Sequence, residues 1–256
     1  MNIVITNDDG INAPGIKALA KAAASFGDVT VIAPEKNWSA CGHYKTLGRP
    51  LRAVKADFPG GIPAWAIDGS PSDCTALAGL GFLEKKIDLV LSGINPTPNL
   101  GEDISYSGTV TAALESIFWE MKGAAFSLDC AGIDPKKIDF SGAEKAVKNV
   151  IRMVLTHEIP HHTILNVNIP YLPYEEMKGI RVGRCCERTY NDVLVRNIDP
   201  FGRPYYWFGG DPPSGSLVPG TDLCDMKTGF ISVAPLHMDM TAYQSMKEVS
   251  DWNWEL

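Results

Sequence analysis

Asp8 and Asp9 stand side by side at the end of the opening run Asn2-Ile3-Val4-Ile5-Thr6-Asn7-Asp8-Asp9-Gly10. Two carboxylates held that close repel, and one pKa rises unless a cation sits between them. Hard oxygen donors of this kind suit Mg²⁺ or Mn²⁺. The pair fits the core of a divalent-metal site, yet Asn-Asp-Asp-Gly is also ordinary turn chemistry, and the residues alone leave both readings open. Other candidates follow along the chain. Ser39 can present a hydroxyl to a metal, and His43 in the same loop can act as acid, base or phosphate partner. Asn95 offers a side-chain oxygen to a cation, and Asn99 lies in the same polar loop, Gly93 to Gly101. Ser107, Gly108 and Thr109 open a helical run. Free amides at a helix start, beside small hydroxyls, form a seat for phosphate, and simple capping by the serine is the other reading.

These groups can meet only if the fold brings their loops to one rim. Adjacent side chains on a strand face opposite ways, so Asp8 and Asp9 share a target only where the strand ends and the backbone turns, as Gly10 permits. Ile16, Leu19, Ala20, Ala23 and Ala24 recur at helical spacing up to Phe26-Gly27, and Asp28 to Pro34 is a second strand. That is a right-handed βαβ start to a Rossmann-like α/β layer, and open sheets of this class bind ligands at the carboxyl ends of their strands. The loop from Glu35 to His43 leaves the same edge. Thr46 to Ala56 and Ala64 to Asp68 alternate like a hairpin bent at Pro59-Gly60-Gly61. Ser70 caps the next helix, with Pro71 at its first position and Asp73 closing a capping box, which assigns Asp73 to folding. Ile87 to Ser92 and Ala124 to Leu128 are strands, with a helix over Ser105 to Glu115 between them. A helix from Ser141 to Leu155 and a strand from Thr163 to Asn168 follow.

From Ile180 the character changes. Arg181 to Arg184, Arg188 to Ile198 and Tyr205 to Phe208 are aromatic and β-branched runs between turns, as expected of a β-hairpin arm outside the main sheet. Tyr205, Tyr206, Trp207 and Phe208 exposed on such an arm would be a liability in a monomer, so oligomerisation is expected. Thr221-Asp222 starts a short helical turn, Gly229 to Pro235 is a late strand, and Thr241 to Val249 a terminal helix.

The 256 residues, 45% hydrophobic and 21% charged, point to one globular domain over 1–256. A net charge of -7 argues against binding a nucleic-acid duplex through a basic face. No stretch approaches a membrane span, and the start of the sequence is a strand rather than a leader, so a cytoplasmic location is expected. The six cysteines form no C-x-x-C pair, which leaves them as free thiols. His157-Glu158-Ile159-Pro160-His161 matches the zincin pattern, but Pro160 breaks the turn that would align its histidines. No G-x-G-x-x-G, P-loop or G-x-S-x-G is present. Haloacid-dehalogenase phosphatases also carry an aspartate after strand one, but in a D-x-D whose carboxylates face the same way.

Taken together, Asn7-Asp8-Asp9-Gly10, Ala13-Pro14-Gly15, Asn37-x-Ser39-x-x-Gly42-His43, Asp68-Gly69-Ser70-Pro71-Ser72-Asp73-Cys74, Ser92-Gly93-Ile94-Asn95, Asn99-Leu100-Gly101 and Tyr106-Ser107-Gly108-Thr109 resemble the SurE family of nucleotidases. The similarity runs nearly end to end and includes Asn166-Val-Asn-Ile-Pro170 and Pro204-Tyr205-Tyr206-Trp207. It implies a metal-dependent phosphomonoesterase acting on nucleoside 5′- and 3′-monophosphates, with polyphosphate as a side substrate. One divalent ion per subunit, Mg²⁺ or Mn²⁺, would be held by Asp8, Asp9, Ser39 and Asn95. Asp8, Asp9 and Asn95 would be catalytic, with Ser107, Gly108, Thr109, Asn99 and His43 around the phosphate. The implied fold is a three-layer α/β/α sandwich with a mostly parallel sheet, a protruding hairpin arm within about 180–225, and a carboxyl-terminal segment swapped between subunits of a dimer or tetramer. Two departures stand out. Pro96-Thr97-Pro98 stiffens a loop that is usually glycine-bearing or small, and Trp38 replaces the arginine often found before the serine ligand, where an aromatic can stack on a base. An aspartyl-phosphate phosphatase and a non-catalytic nucleotide-binding module are the alternatives.

Overall fold

A computed structural model describes residues 1–254 of the chain. It begins as a βαβ unit, with β1 (Asn2–Thr6), α1 (Pro14–Ala23) and β2 (Asp28–Pro34) in parallel register, Ile3 beside Val29 and Ile5 beside Val31. β3 (Ala53–Lys55) and β4 (Ala64–Ile67) extend the sheet beyond β2, and α2 (Pro71–Gly79) crosses back to β5 (Leu89–Asn95), which pairs with the other side of β1. After α3 (Gly108–Glu115), β6 (Lys122–Asp129), α4 (Ser141–Thr156) and β7 (Thr163–Pro170), the chain adds β8 (Ile180–Val182). An arm of β9 (Arg188–Ile198) and β10 (Pro204–Gly215) follows, then α5 (Asp222–Lys227), β11 (Ile231–His237) and α6 (Met246–Ser250). The main sheet runs β3-β4-β2-β1-β5-β6-β7-β11-β8, and the arm is a separate two-stranded ribbon.

Alternation along β1 shows why this is a sandwich. Ile3 and Ile5 point into a core shared with α1 and α4, while Val4 points to the opposite side, against Cys74 and Ala78 of α2. All pairings from β4 to β7 are parallel, and such strands are buried on both faces. The direction of winding reverses between β1 and β5. That is the crevice where an open α/β sheet takes its ligand, and it lies between the Asp8-Asp9 turn and Asn95.

Several expectations are corrected. Thr46 to Arg52 is not a strand: Pro50 has no N–H for a ladder, and the Thr46 amide instead donates to Asp73 (3.0 Å). Arg181 does not belong to the arm. Ile180–Val182 pairs with β11 at the edge of the main sheet, a run too short to show any alternation in sequence. The helix expected over Ser105 to Glu115 begins at Gly108, with a 3-10 turn over Gly101–Ser105 before it. The terminal helix shrinks to Met246–Ser250 after a 3-10 turn, as suits an exposed segment too short to hold helix without packing. α4 ends at Thr156, so His157 and His161 lie outside any helix, as Pro160 requires. All six cysteines are free, including Cys185 and Cys186.

Candidate active site

The turn after β1 is closed by the side chain of Asn7, which donates to the Gly10 carbonyl (3.0 Å) and accepts from the Gly10 amide (3.2 Å). Gly10 sits at φ +97°, a conformation a side chain would strain. The turn is fixed from outside by the Ile11 amide on Pro34 (2.9 Å) and the Trp38 amide on the Asp8 carbonyl (2.7 Å). The second bond ties the loop that carries Ser39 to the Asp8 backbone. Asp8 is only 3% exposed, and its Oδ1 accepts a 2.5 Å bond from the Thr109 hydroxyl.

The start of α3 is packed against this carboxylate. Ser107 caps the helix through the Val110 amide (3.1 Å). A Cβ on Gly108 would fall 2.7 Å from the Asp8 Cβ and 3.0 Å from the Cys41 Sγ, closer than real contacts allow. Gly108→Ala should therefore cost about 1–3 kcal/mol through overpacking and push Asp8 out of place. Thermal unfolding together with metal-dependent turnover checks this, and an alanine variant matching wild type in both would show the contact to be slack.

Electrostatics sharpen the picture. Burial pushes the Asp8 carboxyl up, against the opposing hydrogen bonds from Thr109 and the backbone. Burial and then the charge on Asp8 carry Asp9 to about 7. Neither acid is paired with Lys, Arg or His among the described residues. Adjacent carboxylates, one buried and one half-buried, with no counter-charge are the donor set a hard divalent cation relieves. No group of three or more His, Cys, Asp or Glu among the described residues could hold a metal, so neutral oxygens must complete the shell. Asn95 supplies one. Its Nδ2 donates to the Thr97 carbonyl (2.6 Å) and hydroxyl (3.1 Å), which leaves Oδ1 as the atom facing outward chemistry. Ser39 is exposed, in a turn set by its amide on Asn37 Oδ1 (2.7 Å). The residues present fit the ion.

The remaining candidates are placed differently from one another. The Ser107 oxygen and the Thr109 hydroxyl are occupied by the helix cap and by Asp8, and the Gly108 and Thr109 amides also act on the Asp8 carboxylate. His43 Nε2 lies 2.9 Å from Glu115 Oε2. Burial raises the pKa of Glu115, but bonds from His43, Lys45 (2.6 Å) and Trp119 (3.0 Å) outweigh it and hold the acid below the usual range. His43 thus fastens its loop to α3, and Thr46 fastens the same loop to the capping-box acid Asp73 (2.7 Å). Asn99 faces the sheet: its Nδ2 donates to Ser127 (2.7 Å). The partners that hold Asn99, among them Asn166 and Asn168, were not identified as site residues from sequence. Two asparagines two apart on one face of a buried strand were the available signal.

A sequence model of the family described as Survival protein SurE matches residues 3–192. The chain belongs to the SurE family. Among its relatives, a protein of Chloroflexus aggregans named 5'-nucleotidase SurE is 44% identical over 257 residues, covering 100% of both chains. The 5'-nucleotidase SurE of Aquifex aeolicus is 43% identical over 249 residues, covering 96% of each. A solved structure titled Crystal Structure of Sure Protein from Aquifex aeolicus superposes with a TM-score of 0.82 at 41% identity, covering 98% of each chain. No helix among the described residues is long and apolar enough to cross a membrane.

Proposed function

We propose that this protein is a divalent-metal-dependent nucleotidase that cleaves nucleoside 5′- and 3′-monophosphates to nucleoside and phosphate, with polyphosphate as a further substrate. The single observation that carries the reading is the pair of uncompensated carboxylates at the sheet's switch point, Asp8 buried against a helix start and Asp9 half-buried beside it. The relatives named 5'-nucleotidase SurE support the substrate class. Asp8, Asp9, Ser39 and Asn95 would hold one Mg²⁺ or Mn²⁺ ion. When bound, such an ion supplies Lewis acidity toward the phosphoryl oxygens and a lowered pKa for water. The start of α3, at Ser107, Gly108 and Thr109, would face the phosphate, and Thr109 keeps Asp8 in one rotamer. Trp38, stacked on Tyr44 with centroids 5.6 Å apart, stands at the edge of the site, where a base can lie against an aromatic face.

Exposed Tyr205, Tyr206, Trp207 and Phe208 on the arm, with exposed Met240, Tyr243, Trp252 and Trp254 near the carboxyl end, support a dimer or tetramer built by exchange of that end.

Phosphate release from nucleoside monophosphates and from glycerol phosphate, with Mn²⁺, Mg²⁺ or chelator, tests the reading. Turnover should need the metal, and Trp38→Ala should raise KM for nucleotides about 10-fold, as loss of one stacking contact implies, while sparing glycerol phosphate. Hydrolysis unaffected by chelator would sink the metal reading.

A further inference from the structure

Asn99 is held in an unusual way. Its peptide N–H donates to Asn168 Oδ1 (2.8 Å), and its carbonyl accepts from both Asn166 Nδ2 (2.9 Å) and Asn168 Nδ2 (3.0 Å). Its side chain adds the bond to Ser127. Asn99 is 8% exposed, while Ser127, Asn166 and Asn168 are fully buried. A loop residue that would ordinarily take its backbone partners from water or from a neighbouring strand takes them from asparagine side chains of β7, while its own side chain reaches β6. Asn95, Ser127 and Asn168 are consecutive cross-strand partners on β5, β6 and β7, so the grip lies in the same row of the sheet as the donor asparagine.

Between Asn95 and Asn99 the loop has little freedom left. Pro96 and Pro98 fix their own φ. The Pro96 carbonyl accepts from the Cys130 amide (3.3 Å) and lies 3.0 Å from its Sγ, and Thr97 takes both bonds of the Asn95 amide nitrogen. The segment is anchored at one end by β5, at the other by the asparagine pair, and in the middle by Cys130 just after β6. The consequence is a single orientation for the Asn95 carboxamide, with its oxygen turned away from the loop.

We propose that Asn168, with Asn166 and Ser127, is a positioning residue for the metal. By clamping Asn99 it presets the Asn95 oxygen, so that the cation meets an already oriented ligand. This deepens the reading of Asn95 as a donor and rests on it. Partners that orient metal ligands from outside the coordination shell typically change affinity about 10–100-fold when removed.

Calorimetric titration with Mn²⁺ of the full-length protein tests this on wild type, Asn95→Ala, Asn168→Ala, Ser127→Ala and Thr75→Val. Thr75 is fully buried and bonded to the Ala112 carbonyl (2.9 Å), in α2 rather than beside the loop, so its variant reports loss of a buried bond elsewhere. The expected result is a fall of about 10–100-fold in Mn²⁺ affinity for Asn168→Ala, a smaller fall for Ser127→Ala, and none for Thr75→Val despite its lower melting temperature. Excess Mn²⁺ should restore turnover to Asn168→Ala. Should Asn168→Ala fail to fold, Ser127→Ala carries the test alone, since it deletes a single bond. Unchanged affinity in both clamp variants, with Asn95→Ala weakened, overturns the clamp and leaves the donor assignment standing. A wild type that takes up no Mn²⁺, or an Asn95→Ala variant that binds as wild type does, overturns the donor assignment and the clamp with it.

Discussion

Asp8→Asn should lower metal-dependent phosphate release by about 10³-fold while leaving the fold intact. The substitution is nearly isosteric, and its carboxamide oxygen can still accept from Thr109, whose hydroxyl donates at 2.5 Å in the present protein. What it removes is one of two adjacent negative charges in a site with no counter-ion from the protein. Metal ions contribute several kcal/mol of transition-state stabilisation, and each 1.36 kcal/mol is tenfold in rate, which sets the expected size. The same change should not lower, and can raise, the melting temperature without metal, because a buried unpaired carboxylate is itself a cost. Loss of activity with wild-type unfolding therefore separates chemistry from folding. Full metal-dependent turnover by this variant would leave the central assignment without support.

The second large effect is linkage between pH and metal. Asp9 is raised from 3.8 to about 7, and Asp8 is raised too. A raised carboxyl means the folded state holds a proton that the unfolded chain releases. In the absence of metal, Asp9 stabilises the fold fully only below about pH 4, and that contribution is lost as pH rises through about 7; Asp8 acts in the same direction. Asp239, held down to about 2 by hydrogen bonds from Thr241 and Tyr243, works in the opposite sense but at much lower pH. A divalent cation has to displace the Asp9 proton. Mn²⁺ affinity should thus rise up to about tenfold per pH unit until about 7 and then level off. Mn²⁺ at a hundredfold excess over its Kd stabilises by about 2.7 kcal/mol, so the same Mn²⁺ concentration should raise the melting temperature far more at pH 8 than at pH 5.5. Calorimetry in two buffers of different ionisation heat should show protons released at pH 5.5. Equal shifts at both pH values, with no proton release, would contradict the shared site.

The sandwich was legible because its early strands are apolar runs bounded by turns, and Ser70 to Asp73 announced a helix start that the structure realises as a reciprocal cap. The aspartate pair was legible for a chemical reason, since two adjacent acids after a strand need either solvent or a cation. Other parts were hidden because long-range bonds, invisible in local pattern, decide them. His43 is taken up by Glu115, 72 residues away. The two bonds that fasten the Asn99 carbonyl come from 67 and 69 residues downstream. Ile180–Val182 joined the main sheet because β11, much later in the chain, offers it an edge. Thr109 looked like a phosphate ligand from its neighbours alone. Only the packing of the start of α3 against the turn after β1 shows that its hydroxyl bonds Asp8.

The hairpin arm leaves and rejoins the body at one place, since Arg188 and Gly215 are paired at its root. Arg188 is tied there to Asp103 (2.9 Å), and Asp222 anchors the adjoining backbone through the amides of Gly101 and Cys186. Architecturally the arm is a cassette plugged into a fixed socket. Shortening the turn at its tip, residues 199–203, should accordingly leave the socket and the layers behind it in place.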